Sequence, residues 1–143
     1  MKIAIEAAHA NKIYRTGVEN VCYHLIQELK QIIPRNKEVI LYTNRPLRDE
    51  LKELPNKNWS VKVLRWPMSK GWSQVRLSWE FLKNKPDVYF SPGQLVPMVC
   101  PKNTLTVVHD TAFRALADVY WWGSRWYLSW MNFLIARNSE KIV

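Results

Sequence analysis

His109 and Asp110 are adjacent residues whose side chains could take part in catalysis. An imidazole can donate or accept a proton near neutral pH, and a neighbouring carboxylate can fix its tautomer or bind a ligand hydroxyl. The pair follows Thr104 to Val108, an unbroken branched run that predicts a buried strand. We therefore expect His109 at the carboxyl end of that strand. A structural role, with Asp110 capping the next turn, is the alternative.

The loop from His9 to Gly17 is a second candidate site, because it ends on a predicted helix. Thr16 and Glu19 form a T-x-x-E capping box, and the free N–H groups and dipole of a helix start favour an anion. Gly17 would let the backbone come close to a phosphate, and Arg15 adds positive charge. An ordinary capped helix start is the alternative interpretation.

A third candidate is the segment from Ser91 to Gln94, in which Ser91 and Gly93 could offer small polar groups to a ligand or form a plain turn. The chain has neither GxGxxG after its first strand nor GxxxxGK[ST], which disfavours a dinucleotide dehydrogenase and a P-loop ATPase. Cys22 and Cys100 share no CxxC spacing, so we expect buried free thiols of a cytosolic protein and no metal site.

The elements that must position these residues alternate between strands and helices. Apolar runs predict strands at Lys2 to Ala8, Glu38 to Thr43, Trp59 to Trp66, Asp87 to Ser91, Thr104 to Val108 and from Lys141 onward. Helical spacing predicts helices at Val18 to Ile32, Pro46 to Leu54, Trp72 to Lys83 and Trp121 to Asn138. This order predicts an α/β fold: one Rossmann-like domain over residues 1–143 with a doubly wound parallel sheet. Ligands bind such sheets beyond the carboxyl ends of the strands, where the three candidate segments should converge.

The formal charge of +9 favours a negatively charged partner such as a phosphate or an anionic lipid surface. No long cationic run occurs, which argues against a nucleic-acid partner. No apolar run resembles a signal peptide or reaches the roughly 18 residues of a membrane span. We expect a cytoplasmic protein that can contact a membrane peripherally. The helical spacing of Trp122, Trp126, Trp130 and Phe133 predicts a stripe that packs on the sheet or on a partner domain.

Taken in order, these segments resemble the N-terminal domain of glycosyltransferase family 4. Arg15 to Glu19 (RTGVE) resembles the glycine loop of that family, and Pro101 to Phe113 (PKNTLTVVHDTAF) resembles its strand followed by an HD pair. Ala136 to Val143 (ARNSEKIV) resembles the stretch that leads into the next strand. The resemblance covers nearly the whole chain and rests on the order and spacing of short motifs.

The resemblance implies a two-domain GT-B enzyme that moves a sugar from a nucleotide-sugar co-substrate to a glycan or lipid-linked acceptor with retention at the anomeric carbon. It implies no metal cofactor. Gly17, flanked by Arg15 and Thr16, would contact the donor phosphate. His109 would lie on the acceptor side, and Asp110 would orient it or bind a sugar hydroxyl.

Two departures from the family pattern bear on this assignment. Many relatives have aspartate where Glu6 stands and a second glycine where Glu19 stands. The C-terminal domain with paired glutamates, which carries most nucleotide binding, is absent, so we expect the isolated chain to be inactive. The chain ends at the start of a strand, which suggests that something follows it. The alternatives to a sugar transferase are a non-catalytic Rossmann-like binding module and, as the weakest, a nucleic-acid-binding domain.

Overall fold

Six parallel strands form one sheet in the order β3-β2-β1-β4-β5-β6. The computed structural model describes residues 1–68, 71–94, 96–109 and 122–142, without the side chains of 122–128 and 131. The strands are β1 (Lys2–Glu6), β2 (Glu38–Thr43), β3 (Trp59–Val63), β4 (Val88–Ser91), β5 (Asn103–Thr106) and β6 (Lys141–Ile142). The predicted parallel α/β sheet is therefore confirmed, including the late strand at Lys141.

The described helices are α1 (Gly17–Ile32), α2 (Ser78–Lys83) and α3 (Trp122–Asn138). A π-helical turn, Trp72–Leu77, leads into α2, and Gly71 begins that turn with a left-handed φ of 84°. The segment predicted as a short helix after Pro46 forms only a single 3₁₀ turn, Asp49–Lys52.

Apolar residues cover both faces of the sheet, which explains why the β1 segment is hydrophobic without alternation. Ile5 of β1 belongs to the core that includes Cys22 and Ile26 of α1. Its neighbour Ala4 belongs to a second core with Leu77 and Phe81, on the opposite face. The sheet is thus doubly wound, as the alternation of elements predicts.

The inward face of α3 differs from the predicted stripe. Leu134 and Ile135 are buried, whereas Phe133 is 59% exposed. Phe133 therefore does not pack on the sheet, and its contact with a partner domain stays a prediction. Trp130 is half-buried, and the side chains of Trp122 and Trp126 lie outside the described residues.

Both cysteines are free thiols, as expected. Cys22 is buried, and burial, followed by the charge of Glu6, raises the pKa of its thiol to about 12. Cys100 is only half-buried, so the prediction that both are buried holds fully for Cys22 alone.

Candidate functional site

The reversal of strand order falls between β1 and β4, because β2 and β3 extend the sheet on one side and β5 and β6 on the other. Ligand crevices of open parallel sheets form beyond the carboxyl ends of the strands at this point. The segments that leave β1, β4 and β5 all emerge there, and two contacts join them.

The first contact joins the loops that follow β1 and β4. Gly93 lies so close to the His9 ring that a Cβ on Gly93 would be 2.4 Å from Nδ1 of His9. Any side chain at position 93 would therefore displace the ring. Gly93, predicted as a ligand contact, has a structural reason to be glycine: it lets the β1 loop close on the β4 loop.

Glu6, the last residue of β1, contacts His9 through both of its carboxylate oxygens. One Glu6 oxygen accepts the backbone N–H of His9 at 3.0 Å, and the other lies 3.2 Å from its Nδ1. Burial lowers the pKa of His9, but the charge and hydrogen bond of Glu6 outweigh burial and raise the pKa above 6.5. The sequence analysis places His9 at the start of a candidate loop but does not include the Glu6–His9 pair. The E-x-x-H spacing of the two residues at the end of a strand is the signal that could have indicated the pair.

The second contact joins β5 to β4. Nε2 of His109 lies 2.6 Å from the backbone carbonyl oxygen of Pro92. A carbonyl only accepts, so Nε2 must be the protonated nitrogen, and the neutral ring then keeps an acceptor lone pair on Nδ1. His109 is half-buried and follows the fifth strand, as predicted. Its bond to Pro92 places the ring beside the turn after β4 and defines the tautomer. Asp110 lies outside the described residues.

Ser91 is fully buried at the end of β4 and is hydrogen-bonded with Tyr89. It therefore supports the strand end and does not face the crevice. Gln94, with a left-handed φ of 61°, donates from Nε2 to Oδ1 of Asn132 at 3.1 Å, which ties this turn to α3.

The predicted capping box at the start of α1 is present. Glu19 accepts the backbone N–H of Thr16 at 3.0 Å, the Thr16 hydroxyl, and the Lys12 ammonium at 2.5 Å. Hydrogen bonds from Lys12 and then from Thr16 lower the pKa of Glu19 to about 2. A permanent negative charge thus lies beside the helix start, where a ligand anion was expected to bind.

Arg15, predicted to add charge for that anion, is engaged by other groups of the chain. Its Nε donates to the carbonyl oxygen of Ala10 at 3.0 Å, and its second amino group lies 2.8 Å from Asp49. The guanidinium also lies 4.0 Å above the Tyr23 ring centroid. Gly17, in contrast, is exposed, and a Cβ on it would meet nothing within 4 Å. The fold itself therefore does not require a glycine at position 17.

Comparisons of the chain with protein-family models, with curated proteins and with solved structures return no match. Across the described residues, no three His, Cys, Asp or Glu side chains are grouped so that they could hold a metal ion. Within the same ranges, no helix has the length and apolar character needed to cross a bilayer.

Proposed function

We propose that the chain is the acceptor-binding half of a retaining glycosyltransferase of the family 4 type, in which a second domain completes a GT-B fold. The main support is the convergence at the switch point: His109 bonded to the turn after β4, and that turn packed on His9 after β1. The parallel order β3-β2-β1-β4-β5-β6 is compatible with such a half.

In the proposed reaction, an acceptor hydroxyl oxygen bonds to the anomeric carbon of the donor sugar on the face from which the diphosphate oxygen leaves, so that the configuration is retained. The hydroxyl proton passes to Nδ1 of His109, the nitrogen that the bond to Pro92 leaves as acceptor. The leaving diphosphate needs several preorganised cations and N–H groups. Gly17 can offer an exposed helix-start N–H, but Arg15 and Lys12 are already paired. We therefore assign most of that stabilisation to the second domain.

Replacing His109 with alanine should lower the rate of sugar transfer about 10²–10⁴-fold, the usual contribution of a positioned acid or base. The measurement is transfer by the chain combined with a donor-binding domain supplied in trans. His24→Ala is the matched control, because His24 is exposed on α1 and contacts the Tyr23 ring edge-on. Equal rates for the His109 variant and the wild type would exclude His109 from the mechanism.

The proposal includes peripheral contact with an anionic membrane on the cytoplasmic side. Four apolar side chains between 53% and 62% exposed lie around one cleft of about 410 Å³: Val75, Trp79, Leu82 and Met98. Arg76 lines the same cleft, and Lys83 Nζ lies 4.9 Å from the Trp79 ring centroid. Apolar side chains beside cations, on a chain of charge +9, suit an anionic lipid surface.

Replacing Leu82 with serine should weaken binding to vesicles that contain phosphatidylglycerol by about tenfold, because an apolar side chain no longer enters the bilayer interface. Vesicle co-sedimentation measures this, and added salt should weaken the wild-type interaction as well. Ile32→Ser is the control, since Ile32 is equally apolar and 69% exposed on α1. If both variants sediment like the wild type, this face does not bind membrane.

A non-catalytic binding module, the alternative function, would use the same exposed apolar face to contact its partner. Titration of the chain with nucleotide sugars, polyprenyl phosphates and short RNA separates the alternatives. A sugar-transferase half should respond at His109 to the first two, and RNA binding with a steep salt dependence would favour a nucleic-acid-binding domain.

A further inference from the structure

A second cleft, of about 390 Å³, opens beyond the carboxyl ends of β1 and β2, outside the contacts around His109. Its walls come from the loop after β1 and the loop after β2. The lining residues are Ala8, Asn11, Lys12, Ile13, Tyr14, Asn44, Arg45 and Arg48. The lining combines three cations with the side chains of Ala8, Ile13 and Tyr14, and it contains no acid.

The cations of this cleft differ in their partners. Lys12 is paired with Glu19 at 2.5 Å and is thereby largely neutralised. Arg45 and Arg48 are exposed, and within the described part of the chain neither guanidinium has an ion-pair or hydrogen-bond partner. The neighbouring Asp49 is already bonded to Arg15 at 2.8 Å. The cleft therefore carries the unneutralised charge of two guanidinium groups.

Asn11 holds the backbone that carries these arginines. Its buried side-chain amide lies 3.3 Å from the carbonyl oxygen of Arg45 and donates to that of Pro46 at 2.9 Å. Its Oδ1 accepts the backbone N–H of Arg48 at 2.9 Å. Thr43 adds a hydroxyl bond to the Arg45 carbonyl oxygen at 2.8 Å. Hydrogen bonds thus hold this loop against the loop after β1 and against the end of β2 before any ligand binds, which lowers the entropy cost of binding.

The ligand chemistry follows from these groups. Guanidinium groups present paired N–H donors whose spacing matches a phosphate. Ile13 and Tyr14, which are 63% and 88% exposed, lie on the same cleft and can cover the less polar part of a ligand. A carboxylate ligand would use the same donors, but two unneutralised guanidinium groups and the lack of any acid in the lining favour the higher charge of a phosphate.

We propose that this cleft binds a phosphate monoester, with Arg45 and Arg48 donating to the phosphate oxygens and Ile13 and Tyr14 contacting the attached group. If the chain is an acceptor-binding half, which this inference assumes, the acceptor carries a phosphate. The attached group can then be a lipid or a sugar, and the ligands below distinguish the two.

The test titrates ¹⁵N-labelled chain with hexyl phosphate, glucose 6-phosphate, inorganic phosphate and hexanol. All three phosphates should shift the amide signals of residues 11–14, 44, 45, 47 and 48, and hexanol should not. Arg45→Gln combined with Arg48→Gln should weaken phosphate binding about 100-fold, because each lost charge-assisted contact contributes about tenfold. Tighter binding of hexyl phosphate than of glucose 6-phosphate would assign a lipid acceptor, and the reverse a phosphorylated sugar.

The matched control is Arg35→Gln combined with Arg65→Gln, which removes the same charge from exposed positions elsewhere. An equal loss of affinity in both double variants would overturn the proposal, because it would reflect only the net charge of the chain. Hexanol binding as strong as that of hexyl phosphate would also overturn it. Neither result depends on sugar transfer, so the His109 experiment stays informative if this one fails, and the converse also holds.

Discussion

Replacing Glu6 with alanine should lower the free energy of unfolding by about 3–5 kcal/mol, because it removes one partner of a buried ion pair. Glu6 is fully buried and bonds both the backbone and the ring of His9. The substitution leaves these donors without an acceptor. Chemical denaturation measures the difference. Glu38→Ala is the control, because its ion pair with Lys2 is long, at 3.8 Å, and exposed, and should contribute less than about 1 kcal/mol.

The same variant should change how stability depends on pH. The pKa of His9 is raised above 6.5 in the folded protein, so its stabilising contribution is full below pH 6.5 and is lost as pH rises through the folded value. Without Glu6, burial and then the charge of Lys12 lower the pKa of His9, the weaker effect of Glu19 opposes them, and the trend reverses. The destabilisation caused by Glu6→Ala should therefore be larger at pH 6 than at pH 8.5. A difference that does not vary with pH would show that the Glu6–His9 pair is not ionic.

The centre of the sheet could be predicted from the sequence because β1 and β2 are largely buried and their sequences are nearly continuous apolar runs. The boundaries of β2 match the prediction at both ends. Other strands end earlier than their apolar runs. β1 stops at Glu6, since the chain turns there and the Glu6 carboxylate accepts the N–H of His9. β3 ends at Val63, although Leu64 still donates to the Thr43 carbonyl oxygen at 2.7 Å.

The candidate site could be predicted only at the level of segments. Parallel topology brings the ends of β1, β4 and β5 to one edge, so the positions of Gly93 and His109 followed from strand order. The partners of individual side chains did not. Arg15 was expected to face an anion but is engaged by Tyr23 and by Asp49, and Asp49 lies far from it in the sequence. Periodicity reports which face of an element is apolar and carries no information about such pairings.

The network around Asn11 shows the same limit more sharply. A lone asparagine in a loop has no sequence pattern that reveals its partners. Its role depends on the carbonyl oxygens of Arg45 and Pro46, which the pairing of β1 with β2 brings within reach. From the sequence alone, Arg45 and Arg48 therefore contribute only to the net charge. Their common orientation around one opening became visible only from the fold.

Replacing Gly93 with alanine should destabilise the protein by about 1–3 kcal/mol, the usual cost of forcing atoms into a filled interior. The new methyl group would lie 2.4 Å from Nδ1 of His9 and 3.0 Å from its Cβ, and Glu6 holds that ring in place. In one outcome the His9 ring moves and loses its bond to Glu6. In the other, the turn after β4 shifts away and moves the Pro92 carbonyl oxygen that orients His109. Thermal unfolding detects the loss, and the imidazole NMR signals of His9 and His109 show which loop gives way.

Gly17→Ala is the matched comparison, because the same methyl group at position 17 meets nothing within 4 Å. Its effect on stability should be less than about 1 kcal/mol and can be favourable, since alanine is the better helix former. If Gly17 approaches a donor phosphate as proposed, the methyl group occupies the space of the ligand. Gly17→Ala should then weaken binding of uridine or guanosine diphosphate in the presence of the donor-binding domain while leaving the melting temperature unchanged. Unaltered binding would remove the α1 start from the donor site. Gly17 would then have no assigned role in binding, and the case for sugar transfer would depend entirely on His109.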